Sequence, residues 1–183
     1  MAHTREKAQL MSASEIDRTL VRLAHEILEK TTDVTKLAFV GIRRRGVPLA
    51  QRLAAKIQSI ENHAVPVGDL DINLYRDDLT TVSNQPVVKT TELPFSVTGM
   101  DVVLIDDVLY TGRTVRAALG ALFDQGRPAR VHLLALIDRG WRELPIEATY
   151  VGRKVQTAAN EIIEVKFDEI DGMEKVLLVE KID

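Results

Sequence analysis

The 183-residue sequence contains no cysteine, which excludes disulfides, thiolate metal sites and thiol nucleophiles together. No apolar run approaches the roughly 18–20 residues needed to cross a bilayer. The opening Met1-Ala2-His3-Thr4-Arg5-Glu6 is followed by no apolar h-region, so the expectation is a cytoplasmic protein without a secretory signal or membrane partner. An excess of positive charge is missing as well. The formal net charge is −3, so any nucleic-acid binding needs a local basic patch. The four histidines, His3, His25, His63 and His132, are scattered and form no metal-ligand cluster. Internal repeats, low-complexity segments and linkers are absent too. What remains is an ordinary globular composition, 45% hydrophobic and 28% charged with 4% aromatic residues, of a length suited to one well-packed domain spanning 1–183.

Residues 12–30 read as an amphipathic helix. Ser12-Ala13-Ser14-Glu15 offers a capping box, and Ile16, Leu20, Leu23, Ala24, Ile27 and Leu28 form one apolar stripe. A strand is expected at Leu37-Ala38-Phe39-Val40, followed by the turn Gly41-Ile42-Arg43-Arg44-Arg45-Gly46 and a second helix with Pro48 in its first turn. Val65 to Tyr75 reads as a strand, broken by Asp77-Asp78, with Pro86 to Phe95 as its return; this polar stretch resembles a long hairpin. A strand–turn–helix unit runs from Val102 through Phe123, closed by Gly126-Arg127-Pro128. Val131 to Ile137 is a near-continuous apolar run, as in a parallel strand covered on both faces. Short strand-like pieces follow, the last being Val176-Leu177-Leu178-Val179. Strands alternating with helices predict an α/β fold with a largely parallel sheet.

The chemistry centres on Val102-Val103-Leu104-Ile105-Asp106-Asp107-Val108-Leu109-Tyr110-Thr111-Gly112-Arg113-Thr114. Four apolar residues make a buried strand, and two carboxylates stand at its carboxyl end, where ligands bind in open α/β sheets. The loop with Thr111, Gly112 and Thr114 then opens a helix, whose free amides and dipole favour a phosphate. Asp106 and Asp107 would repel that phosphate and suit a neighbouring diol. A diol beside a terminal phosphate describes a ribose 5-phosphate. Taken singly, an acidic pair at a strand end is often a solvated turn, and a Thr-Gly pair is often a helix cap. The ordered set is more specific, and neither G-x-x-x-x-G-K-[ST] nor G-x-G-x-x-G occurs to offer another phosphate site.

The run Asp106 to Thr114 closely resembles the phosphoribosyl pyrophosphate motif of the type I phosphoribosyltransferases. Leu74-Tyr75-Arg76-Asp77-Asp78-Leu79 and Asp138-Arg139-Gly140-Trp141-Arg142-Glu143-Leu144-Pro145 extend the resemblance. They point, over nearly the whole chain, to the bifunctional pyrimidine operon regulatory proteins that are also uracil phosphoribosyltransferases. The resemblance implies a type I phosphoribosyltransferase fold: a mostly parallel sheet flanked by helices, a hairpin lid at about 71–97, and a hood from the later segments. It implies that Asp106 and Asp107 are catalytic and contact the ribose, and that Val108, Leu109, Tyr110, Thr111, Gly112, Arg113 and Thr114 complete the phosphoribosyl site. Ile42, Arg43 and Arg44 resemble the pyrophosphate loop, with Arg76 and Lys89 able to close over the same anion; adjacent arginines in a turn can equally be solvated. Mg²⁺ is expected with phosphoribosyl pyrophosphate, on substrate oxygens and water. Asp138, Arg139 and Ile163 are the candidates for the base, expected to be uracil and to yield UMP. Asp138-Arg139 can also be a local ion pair, and Ile163 a core residue.

The same branch implies binding to the leader RNA of pyrimidine genes and a homodimer or homotetramer. Arg18, Arg22 and His25 share a helix face off the apolar stripe, and with Arg142, Arg153 and Lys154 they resemble the RNA surface. Two positions depart from it: Val21 replaces a threonine and Glu147 an arginine of RNA-binding relatives. Two alternatives stay open, an RNA-binding nucleotide sensor with little turnover and a purine or orotate phosphoribosyltransferase of the same fold.

Overall fold

Near-continuous apolar runs become the interior strands of a five-stranded sheet in the computed structural model, which describes residues 3–73 and 93–182. The order is β3 (Val67–Leu70), β2 (Leu37–Ile42), β4 (Asp101–Leu109), β5 (Arg130–Asp138) and β6 (Tyr150–Lys154), with every neighbouring pair parallel. Successive side chains leave opposite faces of a strand, so each run supplies two cores. Phe39, Val103, Ile105, Leu134 and Leu136 join the core with α1 (Ala13–Lys30) and α2 (Gly46–Glu61). Val40, Ile42, Val102, Leu104, Leu133 and Ala135 join the core with α3 (Arg113–Asp124). This is the expected α/β architecture, a parallel sheet flanked by helices.

Helix α1 forms as its sequence predicts. Ser12 accepts the Glu15 amide while the Glu15 carboxylate accepts the Ser12 amide at 2.8 Å, so both donors are satisfied at the helix start. Ile16, Leu20, Leu23, Ala24 and Ile27 are fully buried, each large aliphatic contributing about 1.5–3 kcal/mol over exposure. Leu28 is only partly buried.

Strand β1 (His3–Ser12) escaped the sequence pattern because Thr4-Arg5-Glu6-Lys7 shows no apolar alternation. It is set by pairing instead. β1, β8 (Lys175–Ile182) and β7 (Glu161–Lys166) form a separate antiparallel sheet in the order β1-β8-β7. The later segments, expected as a hood, thus form a small second sheet that also takes the first strand. The strand expected over 65–75 reduces to Val67–Leu70, and Leu93 to Phe95 are not strand. Most of the expected hairpin, including Leu74 to Leu79, lies outside the described residues.

Arg52, on α2, holds the segment between β7 and β8. Its guanidinium donates to Glu169 at 2.7 and 2.9 Å and to Glu174, and lies 5.1 Å from the Phe167 ring centroid. Across the second sheet, Lys7 donates to Glu161 at 2.5 Å. The hydrogen bonds from Arg52 and Lys7 hold Glu169 and Glu161 below the ordinary value of 4.5. A depressed folded-state pKa contributes stability that is complete above the unfolded value and is lost as pH falls through the folded one. Thermal melts should therefore show a lower Tm at about pH 3.5 than at about pH 7, and Arg52→Gln should narrow that gap by lowering the neutral-pH Tm most.

Candidate active site

Strand β4 carries its acidic pair near its carboxyl end and runs on to Leu109. The backbone hydrogen bonding of a parallel ladder continues past residue 105, pairing Asp106 with Ala135 and Val108 with Ile137. Asp106 is buried at 7% exposure and Asp107 is half-buried. One oxygen of each carboxylate accepts the amide of the next residue at 2.9 Å, which fixes its orientation.

Two cavities open at this end of the sheet. The first, about 310 Å³, is lined by Val108 through Val115 with Asp106 and Glu143. Gly112, at φ 92°, caps α3 and offers no side-chain oxygen to its first amides. A residue with a side chain would be strained at that φ and would crowd Ile146 at 3.3 Å. Where α1 satisfies its first turn with a capping box, α3 has no side-chain cap at Gly112; its Arg113 amide donates to Thr111 Oγ1 at 3.3 Å, and the helix start faces the cavity, an arrangement that suits an anion.

The second cavity, about 580 Å³, is lined by Arg43, Arg44, Arg45, Asp71, Ile72, Asn73, Asp106, Asp107, Val108 and Thr114. Helix α2 begins here, also without a side-chain cap. Gly41 and Gly46 make the loop between β2 and α2 this tight. A Cβ on Gly41 would stand 2.6 Å from the Gly46 carbonyl, and one on Gly46 would overlap the Ile105 carbonyl. Arg43 pairs with Asp69 and Asp71, Arg45 donates to Asp171 at 2.8 Å, and Arg44 is exposed. The Arg43–Arg44 peptide is cis. Ile42 is buried in the core, so only its backbone can face a ligand. Arg76 and Lys89 lie outside the described residues. The two cavities share Asp106, Val108 and Thr114. Asp71 and Asn73 were not singled out from sequence, since no local pattern brings the end of β3 beside the arginine loop.

The loop after β5 reaches the first cavity through Glu143, while Asp138 and Arg139 line neither of these two cavities. Asp138 accepts from Arg142 at 2.8 and 2.9 Å and from the Gly140 amide at 3.0 Å. Arg139 is 5% exposed, donates to Thr157 at 3.2 Å, and lies 3.9 Å from the Tyr110 ring centroid. Its Nη2 is buried without a hydrogen-bond partner among the described residues. An unpaired buried donor costs about 1–3 kcal/mol, so a ligand acceptor there would relieve it. Trp141 adopts φ 62° and donates to the Thr157 carbonyl at 2.8 Å. Thr157 was not anticipated; it carries no motif and arrives through the strand after the loop. Ile163 sits in the helix-side core with Val165 and Phe167.

Of the basic positions, Arg18, Arg22 and Arg153 line one shallow depression with Glu15 and Thr19. Arg22 donates to the Gly152 carbonyl at 2.5 Å and to Glu26 at 2.5 Å, and Arg153 donates to the Leu10 carbonyl. His25, Lys154, Val21 and Glu147 are exposed. Arg142 is not part of this depression.

The pattern of the phosphoribosyl transferase domain matches residues 9–170. The chain is 60% identical over 176 residues to the bifunctional protein PyrR of Pelotomaculum thermopropionicum, covering 96% of this chain and 97% of that protein. It is 54% identical to PyrR of Thermus thermophilus, covering 97% and 98%. Among solved structures, hypoxanthine phosphoribosyltransferase of Trypanosoma cruzi superposes with a TM-score of 0.74 at 18% identity, covering 96% of each chain, a likeness of fold. The uncapped helix starts, the acidic wall and these relatives agree, and the chain belongs to the phosphoribosyl transferase family and, within it, to the bifunctional PyrR proteins.

Proposed function

We propose that this chain transfers the phosphoribosyl group of phosphoribosyl pyrophosphate to uracil, forming UMP and pyrophosphate, and that it also acts as a UMP-responsive RNA-binding attenuator of pyrimidine genes. The observation that carries the catalytic reading is the pair of joined cavities. Each lies at a helix start without a side-chain cap, and they meet at Asp106, Val108 and Thr114. A ligand with a phosphate at each end and a diol between them fits that layout.

In this reading the loop Tyr110 to Thr114 takes the 5′-phosphate and Asp106 and Asp107 accept from the ribose hydroxyls. The arginine loop, through Arg43, Arg44 and the Ile42 backbone, takes the pyrophosphate. Arg76, Lys89 and the segment around 71–97 belong to this proposal as closing groups that exclude water. Among the described residues no group of His, Asp and Glu could hold a metal by itself. Mg²⁺ would come with phosphoribosyl pyrophosphate, held mostly by substrate oxygens and water beside Asp106 and Asp107, and would neutralise charge on the leaving group. The bond from C1′ to the pyrophosphate oxygen breaks as the uracil ring nitrogen attacks and releases its proton. Positive charge develops on the ribose, and the two fixed carboxylates stabilise it. Arg139 Nη2, buried and unpaired, suits a carbonyl oxygen of the pyrimidine, with Asp138 holding the loop around it; Ile163 supports this wall from the core.

Arg18, Arg22, His25, Arg153 and Lys154, with Arg142, are the proposed RNA contacts. A homodimer or homotetramer in the cytoplasm completes the proposal; no helix among the described residues is long and apolar enough to cross a membrane.

Pyrophosphate release from phosphoribosyl pyrophosphate with Mg²⁺ should occur with uracil and not with orotate, hypoxanthine, guanine or adenine. Release with a purine or orotate would overturn the base assignment, and no release with any base would leave a nucleotide sensor. Asp106→Asn and Asp107→Asn should each lower kcat/KM by about 10²–10³-fold, as for loss of a preorganised electrostatic contact; unchanged rates would remove the acidic pair from the mechanism. Binding of pyrimidine leader RNA should weaken steeply with salt and strengthen with UMP. Glu147→Arg, which exchanges a repulsive charge for an attractive one, should tighten it and steepen the salt slope by about 0.7 in log–log terms. A gel-shift series in salt measures both.

A further inference from the structure

We propose that Arg142 is a positioning residue for phosphoribosyl transfer, holding the base loop and the phosphate loop in one fixed relation. This rests on the catalytic reading above and assigns Arg142 a second role beside RNA contact. Its guanidinium reaches three segments at once. Nε donates to the Ile146 carbonyl at 2.8 Å, Nη1 to the Tyr110 carbonyl at 2.8 Å, and Nη2 to both Asp138 oxygens at 2.9 and 2.8 Å. Asp138 ends β5 and Ile146 lies within the loop that follows, on the far side of Arg139, so Arg142 ties that stretch together from its middle. Tyr110 belongs to the phosphate loop, so the third contact joins the two sites.

The neighbouring bonds run the same way. The Glu143 amide donates to the Thr111 carbonyl at 2.9 Å, the Arg139 amide to the Leu109 carbonyl at 3.1 Å, and Arg113 to Glu143 at 2.7 Å. The Tyr110 ring lies 3.9 Å from the Arg139 guanidinium, a second contact between the same two loops. The planar fork of arginine can serve three acceptor groups in different directions, whereas the ammonium of lysine at the end of a flexible stem cannot hold the same geometry. The Arg142 side chain is 21% exposed and Asp138's is 12%, so the contacts to Asp138 and Ile146 are partly shielded from solvent, while the bond to Tyr110 is exposed.

The test is steady-state kinetics of Arg142→Lys and Arg142→Gln with phosphoribosyl pyrophosphate and uracil, alongside thermal melts. In Arg142→Gln the KM of both substrates should rise about tenfold or more, with Arg142→Lys restoring only a fraction. A residue that only contacts RNA would leave both KM values within about twofold of the unsubstituted chain, and that result overturns the proposal whatever happens to RNA binding. Equal loss of kcat at unchanged KM, tracking a lower Tm, would mark a merely structural role and also overturn it. Should Arg142→Gln fail to fold, Arg142→Lys decides by the same criteria, an at least threefold rise in both KM values being required. If the unsubstituted chain does not turn over uracil, the functional reading fails first. Calorimetric binding of phosphoribosyl pyrophosphate then decides, with about tenfold weakening in Arg142→Lys supporting the proposal and unchanged binding overturning it.

Discussion

The parallel pairing of β2 with β4, in a register that sets Gly41 beside Ile105, places two helix starts at one pocket. Because neither Gly41 nor Gly46 has a side chain, the arginine loop folds back onto the β4 backbone immediately before Asp106. Helix α2 therefore begins beside the acidic pair, and α3 begins a few residues after it on the same chain. A single added carbon at Gly46 would meet the Ile105 carbonyl, forcing either the loop or the strand to move. Everything the site does with anions follows from that contact between backbones, since dipole and amide effects fade within the first turn of a helix.

The charges around the pocket are arranged for a substrate that is itself highly anionic. Asp69 and Asp71 hold Arg43, and Asp171 holds Arg45, so the cations are oriented before any ligand arrives. Such preorganisation matters more than net charge, which is −3 for the chain; groups already in place need no reorganisation as charge moves from ribose to pyrophosphate. The unpaired Arg139 Nη2 is a different device. It leaves a buried donor without a partner among the described residues, a cost that an acceptor at that position, on a ligand or a water, would offset.

The basic surface shows why a count of arginines is a poor guide to RNA affinity. Arg22 and Arg153 are pinned by backbone carbonyls of β6 and β1, and Glu15 stands in the same depression. Their planes are fixed and partly neutralised, so contact with RNA phosphates has to compete with interactions already made within the chain.

Local patterning determined the parts of this protein that depend on neighbouring residues. The capping box and stripe of α1, the buried strand before Asp106, the Thr111-Gly112-Arg113-Thr114 helix start and the parallel character of the main sheet were all legible, because periodicity and phosphate-loop chemistry are properties of contiguous sequence. So was the family, through motifs that stay contiguous. Only the tertiary structure decided the rest. Strand β1 exists because β8 lies beside it, Asp71 and Asn73 face the arginine loop because β3 pairs with β2, and Arg142 meets Tyr110 because the loops after β4 and β5 converge at the carboxyl end of the sheet. In each case the partner is distant along the chain. A side chain's role there is set by which acceptor it reaches, and the residue type alone does not say which one that will be.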